Sequence, residues 1–196
     1  MNGENALKEG CDVTYADICQ AVRFMKKRYG EQDPFRLCEA MGILLLQQPM
    51  GTHETAIKGF FMRCKRISSI TINSDLPEVI QRIIVAHELG HAVIHQHGGI
   101  HAFHEVSLFD QTADLEREAN LFAAELLLED DTVLDVLRQG TTFFDAAAQL
   151  AVPAQMLDFK LRLMKQKGYA LAEIPIESDS RFIRKMDIQC SAVFYG

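Results

Sequence analysis

The chain has 196 residues, 48% hydrophobic and 24% charged, with a formal net charge of −7. This is the profile of an ordinary globular chain, long enough for one domain with a real core. An acidic balance with no basic patch among aromatics argues against nucleic acid as a direct partner. No apolar run is long enough to span a membrane, and no basic segment leads into an apolar one at the N-terminus, so neither anchor nor signal peptide is expected. The five cysteines (Cys11, Cys19, Cys38, Cys64, Cys190) are scattered without a Cys-x-x-Cys pair. They read as reduced thiols of a cytoplasmic protein.

Residues 1–13 are polar and read as a frayed end. Thr14 with Asp17 forms a capping-box pattern. The helix behind it carries Ile18, Val22 and Met25 at helical spacing and stops near Gly30. Its basic end, Lys26-Lys27-Arg28, complements the helix dipole. Asp33-Pro34 opens a short helix closing at Met41-Gly42. Ile43–Gln47, Ile57–Cys64 and Ile67–Asn73 read as three strands, the last two joined as a hairpin. Asp75-Leu76-Pro77-Glu78 starts a long helix running to about His97. A loop rich in His and Phe follows, then a second long helix over roughly Thr112 to Glu129, with Leu115, Ala119, Phe122 and Leu126 as its buried stripe. Asp130-Asp131 reads as a break, Thr132–Arg138 as a short helix, Thr142–Leu150 as an Ala-rich segment, and Pro153 to about Lys167 as a last helix. From Gly168 the periodicity fails.

The chemistry sits in the first long helix. Ala86-His87-Glu88-Leu89-Gly90-His91 is a His-Glu-x-x-His motif inside an apolar run. On a helix His87 and His91 share one face, their Cβ atoms roughly 5–6 Å apart, so two imidazoles can hold one metal ion. Glu88, one step round, can reach a water on that ion without itself being a ligand. Chance pairs of this spacing occur on amphipathic helices. Here the surrounding helix is apolar nearly all round, and burying these groups without a partner would be costly. Gly90 removes a side chain between the two imidazoles, as if something had to approach closely.

A catalytic zinc site takes a third protein ligand and keeps one position open. The second long helix offers Asp114, Glu116, Glu118 and Glu125. On a helical wheel Glu118 lies on the shoulder of the buried stripe and Glu116 on the solvent side, which favours Glu118. A surface salt bridge of Glu118 with Arg117 or a neighbour is an equally ordinary reading.

Taken together, Ala86–His91 and Glu116-Arg117-Glu118-Ala119-Asn120-Leu121-Phe122-Ala123 resemble the ImmA/IrrE family of metallopeptidases. The likeness runs over roughly residues 14–167, through Gly59-Phe60-Phe61, Ile70–Asn73 and Leu150–Leu163. It implies an α+β, minimal zincin-like fold, mainly helical, with a small three-stranded antiparallel sheet packed on the active-site helix. It also implies zinc held by His87, His91 and Glu118, with Glu88 as the catalytic carboxylate. Phe122 stands where thermolysin-like enzymes carry an Asp that supports a ligand, leaving Asp114 or Asn120 to hold an imidazole. Residues 168–196 have no counterpart and read as an extension.

The function this implies is a zinc-dependent endopeptidase cleaving a cognate protein, a helix-turn-helix repressor of a mobile element or prophage, so that repression is relieved. A zinc-containing module that sequesters a regulator without cutting it and a general housekeeping peptidase are the competing readings. Glu88 favours the enzyme, because a structural zinc needs no base. His95, His97, His101 and His104 stand as candidate oxyanion donors. Cys190 reads as an ordinary free thiol, a zinc-blocking thiolate being the remoter alternative.

Overall fold

The computed structural model describes residues 13–53, 55–95 and 114–171. Helix α1 (Tyr15–Tyr29) begins as its cap pattern predicts: the Thr14 hydroxyl accepts from the Asp17 N–H, and the Asp17 carboxylate accepts from the Thr14 N–H at 3.0 Å. It ends at Gly30, whose φ of 68° suits a residue without Cβ. In α2 (Pro34–Ala40) the Asp33 carboxylate caps the Phe35 and Arg36 N–H groups.

Strands β1 (Leu44–Gln48), β2 (Gly59–Cys64) and β3 (Ile67–Asn73) form one sheet in the order β1-β3-β2. The hairpin expectation holds: β2 pairs antiparallel with β3, Phe61 opposite Ile70. The sheet is not antiparallel throughout, however, because β1 pairs parallel with β3, Leu45 opposite Ile70. The hairpin turns the chain back on itself, and its second strand, not its first, lies beside β1. As the central strand, β3 is buried on both faces towards its end, with Ile70, Thr71, Ile72 and Asn73 all inside. Asn73 holds the connection between β1 and β2 in place. Its amide donates to the Gly51 carbonyl at 2.7 Å and the Ile57 carbonyl at 3.1 Å, and its oxygen accepts from the Met50 and Asp75 N–H groups.

Helix α3 (Glu78–Ile94) lies against β2, β3 and α2. Gly59 makes the sheet contact possible, since a Cβ there would fall 2.4 Å from Ile84 Cγ2. Asp33 also pairs with Arg82, tying the start of α2 to α3. Helix α4 (Asp114–Leu127) packs on α3, α1 and the final helix. It is buried without a gap from Glu118 to Ala124, whereas Leu115, assigned to its buried stripe, is 44% exposed. The expected break between the two helices is present but falls at Leu128-Glu129; Asp130 and Asp131 form the acidic first turn of α5 (Asp130–Arg138), where carboxylates favour the helix dipole. Helices α6 (Phe143–Gln149) and α7 (Ala154–Gln166) complete the described architecture.

One ionic cluster lies within this helical layer. The Lys160 ammonium of α7, 1% exposed, is 2.8 Å from Glu125 Oε2 and 2.6 Å from Asp130 Oδ1. Lys167 reaches the same two carboxylates. Two cations and two anions thus satisfy one another where α4, α5 and α7 meet, as buried charges require. Among the described residues no helix is long and apolar enough to cross a membrane.

Candidate metal centre

In α3 the helical repeat stacks His87 and His91 one turn apart, 3% and 1% exposed. Their Nε2 atoms are 3.0 Å apart and their rings meet edge-on at 73°. From the first turn of α4, Glu116 Oε2 lies 3.2 Å from His87 Nε2 and 3.5 Å from His91 Nε2. Ligand atoms on a tetrahedral zinc with bonds of about 2.0–2.1 Å stand roughly 3.3–3.4 Å apart. The three distances therefore outline one face of such a site.

The hydrogen bonds behind the imidazoles support the same reading. The Asn120 Oδ1 acceptor is 2.9 Å from His87 Nδ1. That nitrogen is therefore the donor, and the Nε2 lone pair points to the shared centre. Burial pushes the His91 imidazole down to about 4, outweighing the Glu116 hydrogen bond that pulls the other way. His91 is thus neutral near pH 7, the form that binds metal. Two imidazole lone pairs and a carboxylate converge, a donor set suited to a divalent cation.

Glu88 follows His87 in the same turn and is fully buried. Gly90 explains itself: a Cβ there would stand 3.1 Å from Ala119 Cα and 3.2 Å from Phe122 Cβ. What approaches closely is the α4 backbone, which brings Glu116 within reach of the imidazoles.

The third position differs from the sequence-based expectation. The structure does not bring Glu118 to the imidazole pair. Its Oε2 lies instead 2.9 Å from His95 Nε2, with the Glu118 side chain 6% exposed. Nor does it pair with Arg117, which bonds Asp114 at 3.0 Å. The candidate donor set becomes His87, His91 and Glu116, with Glu116 replacing Glu118. The wheel misplaced Glu116 because α4 is buried nearly all round and has little solvent side against which to set a stripe. A better signal was present: Glu116 and Asn120 are four apart and share a face, and Asn120 was one of two residues proposed to hold an imidazole. Asp114, the other, has its side chain 83% exposed and lies away from the site. Of the oxyanion candidates, His95 stands behind His91, its Nδ1 2.9 Å from His91 Nδ1 and so on the side away from the shared centre. His97, His101 and His104, like Cys11, Cys190 and the segment from 172 onward, lie outside the described residues.

A small mixed sheet under a helix bearing His-Glu-x-x-His, with an acid delivered by the next helix, defines a metallopeptidase of the minimal zincin-like kind. The chain belongs to the peptidase family described as the IrrE N-terminal-like domain, whose model matches residues 38–162. It is 34% identical over 146 residues to "Uncharacterized immunity region protein 2" of Bacillus phage phi105, across 74% of this chain and 90% of that protein. It is 30% identical over 153 residues to "Metallopeptidase ImmA" of Bacillus subtilis strain 168, across 76% of this chain and 86% of that protein.

Proposed function

We propose that the chain is a cytoplasmic zinc-dependent endopeptidase that cleaves a cognate regulator, a helix-turn-helix repressor of a mobile element or prophage, and so acts as an anti-repressor. The observation that carries the chemistry is the meeting of His87 Nε2, His91 Nε2 and Glu116 Oε2 around one point, with Glu88 adjacent on the same turn. The biological setting is supported by the relatives, one named for an immunity region and one as a metallopeptidase.

His87, His91 and Glu116 would hold the ion, His87 turned towards it by Asn120. Bound zinc supplies Lewis acidity, easing deprotonation of water near pH 7 and polarising a carbonyl. Glu88 accepts the proton of the attacking water and returns it to the leaving amine. Burial keeps that carboxylate out of bulk water, one residue from His87. An extended substrate segment can add to the sheet along β1 or β2, its two edges among the described strands.

The test is incubation of zinc-loaded protein with the repressor encoded beside its gene. A discrete fragment is expected, and Glu88→Gln should slow its release by ~10²–10⁴-fold. Regulator inactivation that survives Glu88→Gln would instead favour sequestration without cleavage.

A further inference from the structure

Behind the metal-facing nitrogens runs a second line of contacts from the same helix pair. His91 Nδ1 is 2.9 Å from His95 Nδ1, and His95 Nε2 is 2.9 Å from Glu118 Oε2. The His95 and Glu118 side chains are 7% and 6% exposed. This line lies off the donor set, and the peptidase mechanism assigns it no role.

With the proposed ion on His91 Nε2, the bonding rules leave one arrangement of protons along this line. A carboxylate only accepts, so His95 Nε2 must donate to Glu118. With an ion on its Nε2, neutral His91 carries its one proton on Nδ1, so the facing His95 Nδ1 carries a lone pair. That Nδ1 accepts from His91 Nδ1, which places the His91 proton on the far side of the ring. The His91 Nε2 lone pair then faces His87 and Glu116. Asn120 does the same for His87 in one step; His91 is served in two.

We propose that Glu118 and His95 form a positioning relay that sets the tautomer and ring orientation of His91 for metal binding. This rests on the proposed metal site. His95 ends α3 and Glu118 lies in α4, so the relay also joins the two helices whose approach builds the centre. An outer partner of a ligating histidine characteristically changes metal affinity by ~10–100-fold.

The test compares metal affinity of the full chain and its variants by competition with a chromophoric chelator, using Zn²⁺ and Co²⁺, with metal-free melting as a control for folding. His95→Phe and Glu118→Leu should each weaken binding by ~10–100-fold. In the His95→Phe background, Glu118→Leu should add little, because the line is already cut. His95→Gln should recover much of the loss, since an amide oxygen can accept from His91 Nδ1. A second reading needs no variant: ¹⁵N shifts of the imidazoles in zinc-loaded protein should report His91 protonated at Nδ1 and His95 at Nε2. Unchanged affinity in His95→Phe, or the opposite tautomers, overturns the relay and leaves the metal site standing. Failure of the unsubstituted chain to bind either ion overturns both.

Discussion

At the scale of single residues, two glutamates on one helix carry different duties although only Arg117 separates them. Glu116 faces the imidazole pair; Glu118 faces His95. Their consequences are separable. Glu116→Ala removes one atom of the candidate donor set and should weaken metal binding by more than the ~10–100-fold expected for loss of an outer partner. Glu118→Leu should stay within that range. Chelator competition on both variants decides the order, and the reverse order would return the third ligand to Glu118. The buried thiols give an independent check on packing. Burial pushes Cys19 up to about 11 and Cys38 up to about 12, whereas Cys64 is exposed. At pH 8 only about one in a thousand Cys19 side chains would be thiolate, and fewer still at Cys38. Alkylation of the native protein followed by peptide mapping should label Cys64 and spare both until the chain is denatured.

At the scale of elements, the site depends on how closely α4 lies on α3. Gly90 faces Ala119 and Phe122 at distances a methyl group cannot share without movement, and two of the three nearest atoms belong to the Ala119 backbone. Gly90→Ala should therefore cost ~1–3 kcal/mol despite its better helix propensity, and should weaken metal binding by moving Glu116 outward. Denaturant melts of the metal-free protein with chelator competition check both effects. The second junction is the Lys160 cluster. Removing one partner of a buried ion pair costs ~3–5 kcal/mol. Lys160→Met should fall at the low end, because Lys167 still faces Glu125 and Asp130. The cluster also predicts an acid limb. Burial alone would raise the Asp130 carboxyl, but the hydrogen bonds from Lys160 and Lys167 outweigh it and hold it below its ordinary value of 3.8. A carboxyl depressed in the folded state stabilises fully above its unfolded value, and loses that contribution as pH falls through the folded one. Stability should therefore drop below about pH 4, and less steeply in Asp130→Asn.

For the whole molecule, the proposed centre would make metal binding and folding one equilibrium, because its candidate donors come from two helices that meet only in the folded chain. At 100 times its dissociation constant, a bound ion adds about 2.7 kcal/mol of stability. Chelation should lower the melting temperature of the unsubstituted protein and leave Glu116→Ala almost unmoved. Much of this design was legible along the chain. The Thr14 and Asp33 caps, the three strands, α3 with its paired imidazoles and the carboxylate beside them all follow from local rules. Caps, turns and the 3.6-residue repeat act over a few positions, so neighbours in sequence suffice to place them. Packing alone chose the direction of β1 beside β3, the glutamate that meets the imidazoles, and the line from Glu118 through His95 to His91. Each of those depends on which face of one buried element meets another. A helix buried on every side through its middle, as α4 is from Glu118 to Ala124, has no solvent stripe to announce that face; bare backbone at Gly90 against Ala119 settles it, and that contact exists only once the chain has folded.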